Sequence, residues 1–286
     1  MLLSIGDQIG SGTYRPHSRF SRVVNFERQG RLVSVVGETI GPGPLNIVIR
    51  NLCAGPWERA GQELQVGSST VRFAGHCYDF TPRHRYNSTL DMSVVDIHRF
   101  RHNLSALGEL LKQVSPPNSL AFLLDPKRRK NFRAGFERTF AEQITQGVHE
   151  IFQGQLVAGV RGLKGCGLGL TPSGDDFIAG LLIGLHVLQK LRRQEFQPTV
   201  DAVFHAAQGN NIYSNTFLDL ARRSLLSSRV KDLLRALLSG SRGSVRKASE
   251  ALFAVGASSG ADLATGLFMT LHASGSSTRR QMAVFL

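Results

Sequence analysis

Cysteine, acidic residues and long apolar runs are all scarce in this 286-residue chain, and each scarcity removes a class of protein. The three cysteines, Cys53, Cys77 and Cys166, are odd in number and never fall in C-x-x-C spacing. Neither a disulfide framework nor a cysteine zinc site is indicated. Asp and Glu number 21 against 34 Lys and Arg, and the formal charge of +13 calls for a negatively charged partner. A small anionic substrate or an acidic subunit fits better than nucleic acid, because the basic residues are scattered and no nucleic-acid motif accompanies them. One dense run, Lys127-Arg128-Arg129-Lys130, reads as a solvated loop or a helix start. The longest apolar run, residues 177–188, contains glycines and falls short of the roughly 20 residues a bilayer span needs, so no membrane role is expected. The opening residues have neither the basic region nor the long apolar stretch of a secretory signal. A reducing cytoplasm is the expected location.

What remains is an ordinary globular composition, 42% hydrophobic and 19% charged, which is wrong for a disordered chain. The first third reads as β. Short β-branched runs at 23–26, 32–36, 46–49, 62–66, 70–73 and 77–80 are punctuated by glycine and proline. Such spacing predicts a small antiparallel barrel or sandwich. Within it, Gly41-Pro42-Gly43-Pro44 is either a tight strand connection or a bare backbone edge open to a ligand. From Asp96 the period changes to three or four residues, with Ile97, Phe100, Leu104, Leu107, Leu111 and Val114 on one helical face. Pro116-Pro117 ends that helix. Phe132, Phe136, Phe140, Ile144 and Val148 predict a second helix with its aromatics in the core. Further helices are expected over 200–208, 216–224, 230–238 and 245–253. The fold class is therefore α+β, with a β-rich domain at 1–94 and a mostly helical domain at 95–286, the boundary falling within 92–96.

The strongest local signal is a motif present twice. Residues 173–181 read Ser-Gly-Asp-Asp-Phe-Ile-Ala-Gly-Leu, and residues 259–267 read Ser-Gly-Ala-Asp-Leu-Ala-Thr-Gly-Leu. Each follows a glycine-bearing loop and each begins a helix. Ser173 with Asp176, and Ser259 with Asp262, have the spacing of a capping box, while Thr171-Pro172 offers a start one or two residues earlier. The helices that follow are apolar on nearly every face and belong in the interior. Gly180, Gly184 and Gly266 would let the two pack closely together.

Capping alone would account for Asp176 and Asp262, but Asp175 adds a carboxylate that no cap requires. Adjacent carboxylates at a dry helix end need a dipole, a cation or a ligand to compensate them. A glycine-rich run before a helix presents bare amide donors that suit phosphate or carboxylate. The run 165–169 matches neither a P-loop nor a dinucleotide fingerprint. Cys166 has no histidine nearby in sequence to activate it. Asp175, with Asp176 and Asp262 as partners, is the expected catalytic set. Lys164, Gly167, Gly169, Thr171, Ser173, Gly174, Asn215, Ser259 and Gly260 are the expected substrate-binding residues. Asn210, Asn211 and Ser214 read equally as substrate donors or helix caps.

Residues 169–176 (Gly-Leu-Thr-Pro-Ser-Gly-Asp-Asp), the Gly-Pro-Gly-Pro turn and residues 258–262 (Ser-Ser-Gly-Ala-Asp) resemble the AllH family. Its best-known member is a subunit of oxamate carbamoyltransferase that works beside an FdrA-type, acyl-CoA-synthetase-like subunit. The resemblance implies a carbamoyltransferase subunit in purine or allantoin catabolism, handling an oxamate- or oxalurate-like acid with carbamoyl phosphate. FdrA-type and other carbamoyltransferase subunits would be its partners. No cofactor is implied. Two readings from other classes stand beside it: a hydrolase whose three aspartates hold Mg²⁺ or Mn²⁺, and a non-catalytic scaffold subunit.

Overall fold

The computed structural model describes residues 1–52, 63–92, 95–133 and 135–273. Cys53, Gln62 and part of the expected boundary segment lie outside the described residues. The chain divides into two compact units, Met1–Leu90 with Leu225–Ser228, and Asp91–Ser224 with Arg229–Leu286.

Among the described residues the first unit has nine strands: β1 (Leu2–Gly6), β2 (Gly12–Phe20), β3 (Val23–Arg28), β4 (Arg31–Gly37), β5 (Asn46–Ile49), β6 (Leu64–Val66), β7 (Thr70–Phe73), β8 (His76–Asp79) and β9 (Arg85–Tyr86). They form one curled sheet in the order β8-β7-β6-β2-β3-β4-β5-β1-β9. Two pairings, β4 with β5 and β1 with β9, are parallel, and the other six are antiparallel. The apolar runs at β3 and β4 place Phe26, Val33 and Val35 in the core, and Gln29-Gly30, both at positive φ, close the hairpin between them. β2 escaped the sequence reading because it is polar and mostly exposed, carries Pro16, and shifts register between Pro16 and Ser18. The Gly-Pro-Gly-Pro turn is the tight connection. Parallel crossovers usually take a dozen or more residues, and this one spans residues 38–45. Its carbonyls are occupied: Asn46 Nδ2 donates to Gly41, the Ser228 amide to Pro42 and the Gln8 amide to Pro44.

The second unit is helical: α1 (Ile97–Val114), α2 (Gly135–Phe152), α3 (Leu156–Leu163), α4 (Ser173–Arg192), α5 (Gln197–Ala207), α6 (Ile212–Arg222), α7 (Ser228–Ser239), α8 (Arg242–Phe253) and α9 (Ser259–Ala273). Asp96 caps α1 through the amides of His98 and Arg99. The basic run falls in a 3₁₀ turn, Pro126–Asn131, where Arg128 donates to the carbonyls of Leu111, Lys112, Ser115 and Pro116 and so closes the other end of α1. The second expected helix needs correction. Phe132 precedes α2, and Phe136 is 62% exposed; Phe140, Ile144 and Val148 are the buried face. The helix begins at the positive-φ Gly135, so Phe132 does not share its periodicity.

α4 and α9 make the most extensive helix–helix interface of this unit. A Cβ on Gly180 would run into the carbonyl of Leu263, a Cβ on Gly266 into that of Phe177, and Gly184 sits against Thr270. Counting from Ser173 and Ser259, these are reciprocal positions of the two motif copies. The helices therefore lie parallel, related by a local two-fold, and both N-termini meet at one end. That arrangement brings two positive dipole ends together, where buried acids are favourable.

Candidate functional site

The repeat is larger than the motif. Both copies consist of a short helix, a loop and a long buried helix: α3–α4 and α8–α9. In the first, the Cys166 amide donates to Leu163 and the Gly174 amide to Cys166; in the second, the Val255 amide donates to Leu252 and the Gly260 amide to Val255. A Cβ on Gly174 or Gly260 would strike the Leu163 or Leu252 carbonyl respectively, so the same close approach closes both loops. Between those anchors the first loop is three residues longer.

Both helices start one residue away from the capping box expected from sequence. Pro172 is the N-cap of α4, and its carbonyl takes the amides of Asp175 and Asp176 at 2.9 and 3.1 Å. Ser258, which precedes α9, lends its carbonyl to the Asp262 amide and its hydroxyl to Asp262 Oδ2 at 2.8 Å. This shift frees Ser173 and Ser259 from capping, and each turns to the other copy. Ser173 adjoins Asp262 and Ser259 adjoins Asp176, and each hydroxyl favours the ionised form of that acid. Thr171 Oγ1 adds a bond to Asp176 Oδ2 at 3.2 Å and lies 3.3 Å from Ser259 Oγ. Asp262 Oδ1 accepts from the Leu120 amide at 2.6 Å, which opens a 3₁₀ turn, Leu120–Leu123. Thr171, Ser173, Asp176, Ser259 and Asp262 thus form one buried cluster drawn from both copies.

Burial and mutual repulsion disturb the two acids. Desolvation first, and then the charge of Asp262, hold Asp176 well above the usual carboxylate range. Desolvation also raises Asp262, to about 7, against the lowering by its Leu120, Ser258 and Ser173 donors. The pair titrates as a unit. Asp176 is also the less enclosed, 9% exposed against 0% for Asp262.

Asp175 faces the other way. Its Oδ1 accepts the Gly165 amide at 2.8 Å and its Oδ2 the Ser214 hydroxyl at 2.6 Å. Its neighbour Cys166 is buried, and its thiol is pushed up by burial and by the Asp175 charge, the opposite of an activated nucleophile. Lys164 Nζ donates to the Gln208 carbonyl at 3.1 Å. Asn215 brackets Gly209, accepting its amide at 3.1 Å and donating to its carbonyl at 2.7 Å. Lys164 and Asn215 therefore meet the connector between α5 and α6, apart from the acid pair. Gly167 and Gly169 lie in the loop at φ of 118° and 103°. Among the described residues, the amides of 167–171 have no hydrogen-bond partner in the chain, and Leu168 is 79% exposed.

Sequence reasoning singled out Asn211 and Ser214 without choosing a role, and missed Ser258 and the Leu120 amide. Leu120 is a backbone donor far away in sequence, so nothing in the motif marks it. Among the described residues no group of three or more His, Cys, Asp or Glu side chains is placed to hold a metal ion. Nor is any described helix long and apolar enough to cross a membrane.

Comparison with curated proteins and with solved structures finds no match. Residues 163–271, which run from the last residue of α3 into α9 and so contain both loops and the acid pair, match the family model of the oxamate carbamoyltransferase subunit AllH.

Proposed function

We propose that this protein is a subunit of a cytoplasmic carbamoyltransferase, working with FdrA-type and other subunits on carbamoyl phosphate and an oxamate- or oxalurate-like acid. The observation that carries the reading is the buried acid pair Asp176–Asp262 beside a loop of unpartnered amides, inside the segment that matches the subunit family. In the transfer, the substrate nitrogen attacks the carbamoyl carbon, a C–N bond forms, and the C–O bond to phosphate breaks. The proton lost by nitrogen ends on phosphate. Asp176 is suited to relay it, giving its proton to the departing oxygen and taking the one released from nitrogen. Asp262 keeps Asp176 protonated by its charge. A neutral Asp176 also lets an anion approach the amides of 167–171, which a carboxylate there would oppose. Asp175, with both oxygens occupied by protein donors, holds the loop.

Oxamate-dependent phosphate release from carbamoyl phosphate, in a complex reconstituted with the partner subunits, tests this. Asp176→Asn keeps the shape of the side chain and removes the relay. The rate is expected to fall roughly a hundredfold or more with the melting temperature close to that of the parent chain. An undiminished rate would reject Asp176 as the relay.

A further inference from the structure

The second copy of the repeat is an internal control for the first. It reaches the same close approach of helix and loop with three fewer residues, and it carries Ala261 where the first copy carries Asp175. The longer loop and the extra carboxylate occur together. Packing of the two buried helices requires neither, since the second copy manages without them.

The longer loop is poor in internal bonds. Between Cys166, whose amide and carbonyl are both bonded, and Pro172, whose carbonyl caps α4, its main chain is fastened at Leu170, whose carbonyl accepts Asn211 Nδ2 at 2.8 Å. The Gly165 amide is fastened through Asp175, and Asp175 through Ser214, both bonds short. Asn211 and Ser214 belong to the start of α6. Asn211 does two jobs with separate atoms: Oδ1 caps α6 by accepting the amides of Tyr213 and Ser214, and Nδ2 holds the loop. Ordering a loop of this kind against its own entropy requires such tethers.

We infer that the start of α6 is a latch for the longer glycine loop, and that Asn211 and Ser214 are positioning residues for the site proposed above. The inference rests on that reading for its functional part. Asn211 fixes the far end of the loop and Ser214 fixes Asp175, so the unpartnered amides of 167–171 are presented in one arrangement. Neither side chain touches the reacting atoms.

Asn211→Asp separates the two jobs. It keeps the oxygen that caps α6 and loses the donor to Leu170. Ser214→Ala loses the donor to Asp175. Both variants are made in the full chain, and two readouts are taken. In the reconstituted complex, the KM for carbamoyl phosphate is expected to rise about tenfold in each variant, with kcat within about threefold of the parent. Asp176→Asn should instead lower kcat. In the isolated chain, thermolysin cleavage within residues 165–172, at the exposed Leu168 or Leu170, is expected to accelerate about tenfold while the melting temperature holds. Unchanged KM and unchanged cleavage in both variants overturn the latch, whatever Asp176→Asn does. Faster cleavage in a complex that has no carbamoyl-transfer activity even as the parent would uphold the latch and reject the transfer reading. A fall in kcat with KM unchanged would overturn the positioning role.

Discussion

The two copies of the helix–loop–helix unit differ in what they leave undone. The second, α8–α9, has a short loop, whose amides 256–258 are also without a partner among the described residues, and one acid at its helix start, fully enclosed by the Leu120 amide and the Ser258 hydroxyl. The first, α3–α4, carries a loop three residues longer with more unpartnered amides, a second acid to anchor it, and an Asp176 that is less enclosed. Symmetry explains the packing, and the departure from symmetry falls where the proposed site lies. The difference also shows why two parallel helices tolerate buried acids at their tips. The helix ends favour negative charge there, and the Thr171 and Ser258 hydroxyls and the Leu120 amide donate to the two carboxyls.

The largest expected contrast is in turnover. Asp176→Asn should lower oxamate-dependent phosphate release about a hundredfold or more. Deleting residues 167–169 should do at least as much, although it leaves both acids in place. Equal rates in the parent and the deletion would erase the functional distinction between the copies.

In stability the copies should instead behave alike. Gly180→Val and Gly266→Val each push a side chain into a carbonyl of the opposite helix. Each is expected to cost about 3 kcal/mol or more in urea unfolding, because backbone cannot move aside as a side chain would. A much larger loss at one glycine than at the other would break the local two-fold.

A smaller effect depends on pH. Asp262 has a folded pKa of about 7, above its unfolded value, so the folded chain binds this proton more tightly than the unfolded one. The stability it contributes is complete below the unfolded pKa and is lost as pH rises through about 7. Between pH 5.5 and 7 the parent chain should lose roughly 1–2 kcal/mol from this group, and Asp262→Asn should flatten that slope. A parent chain whose stability rises over this interval would contradict the assignment.

The smallest effects test the exchange of hydroxyls. Ser173→Ala and Ser259→Ala should each cost about 1 kcal/mol. In double-mutant cycles Ser173 should couple to Asp262 and Ser259 to Asp176. Coupling within a copy, Ser173 to Asp176, would show that the motif caps itself after all.

Much of this was legible in the sequence because periodicity and repetition are local. The apolar spacing from Ile97 gave α1, the nine-residue match gave two buried helices, and Gly180 and Gly266 gave their close packing. The resemblance in residues 169–176 and 258–262 led to the family that the segment 163–271 matches. The capping boxes at Ser173 and Ser259 fall one residue late, while the alternative start at Thr171-Pro172 matches α4, whose N-cap is Pro172. The polar strand β2 left no alternation to read. The partners of Asp175 and Asp262 come from Ser214 and Leu120, and no spacing rule joins residues so far apart in the chain.

Shortening the first loop to the length of the second is the most direct test. A chain lacking residues 167–169, reconstituted with its partner subunits, is assayed for oxamate-dependent phosphate release from carbamoyl phosphate, with its melting temperature measured alongside. The expected result is a folded protein, melting within a few degrees of the parent, that releases no phosphate above background. A folded protein with the parent's rate would contradict the assignment of function to that loop.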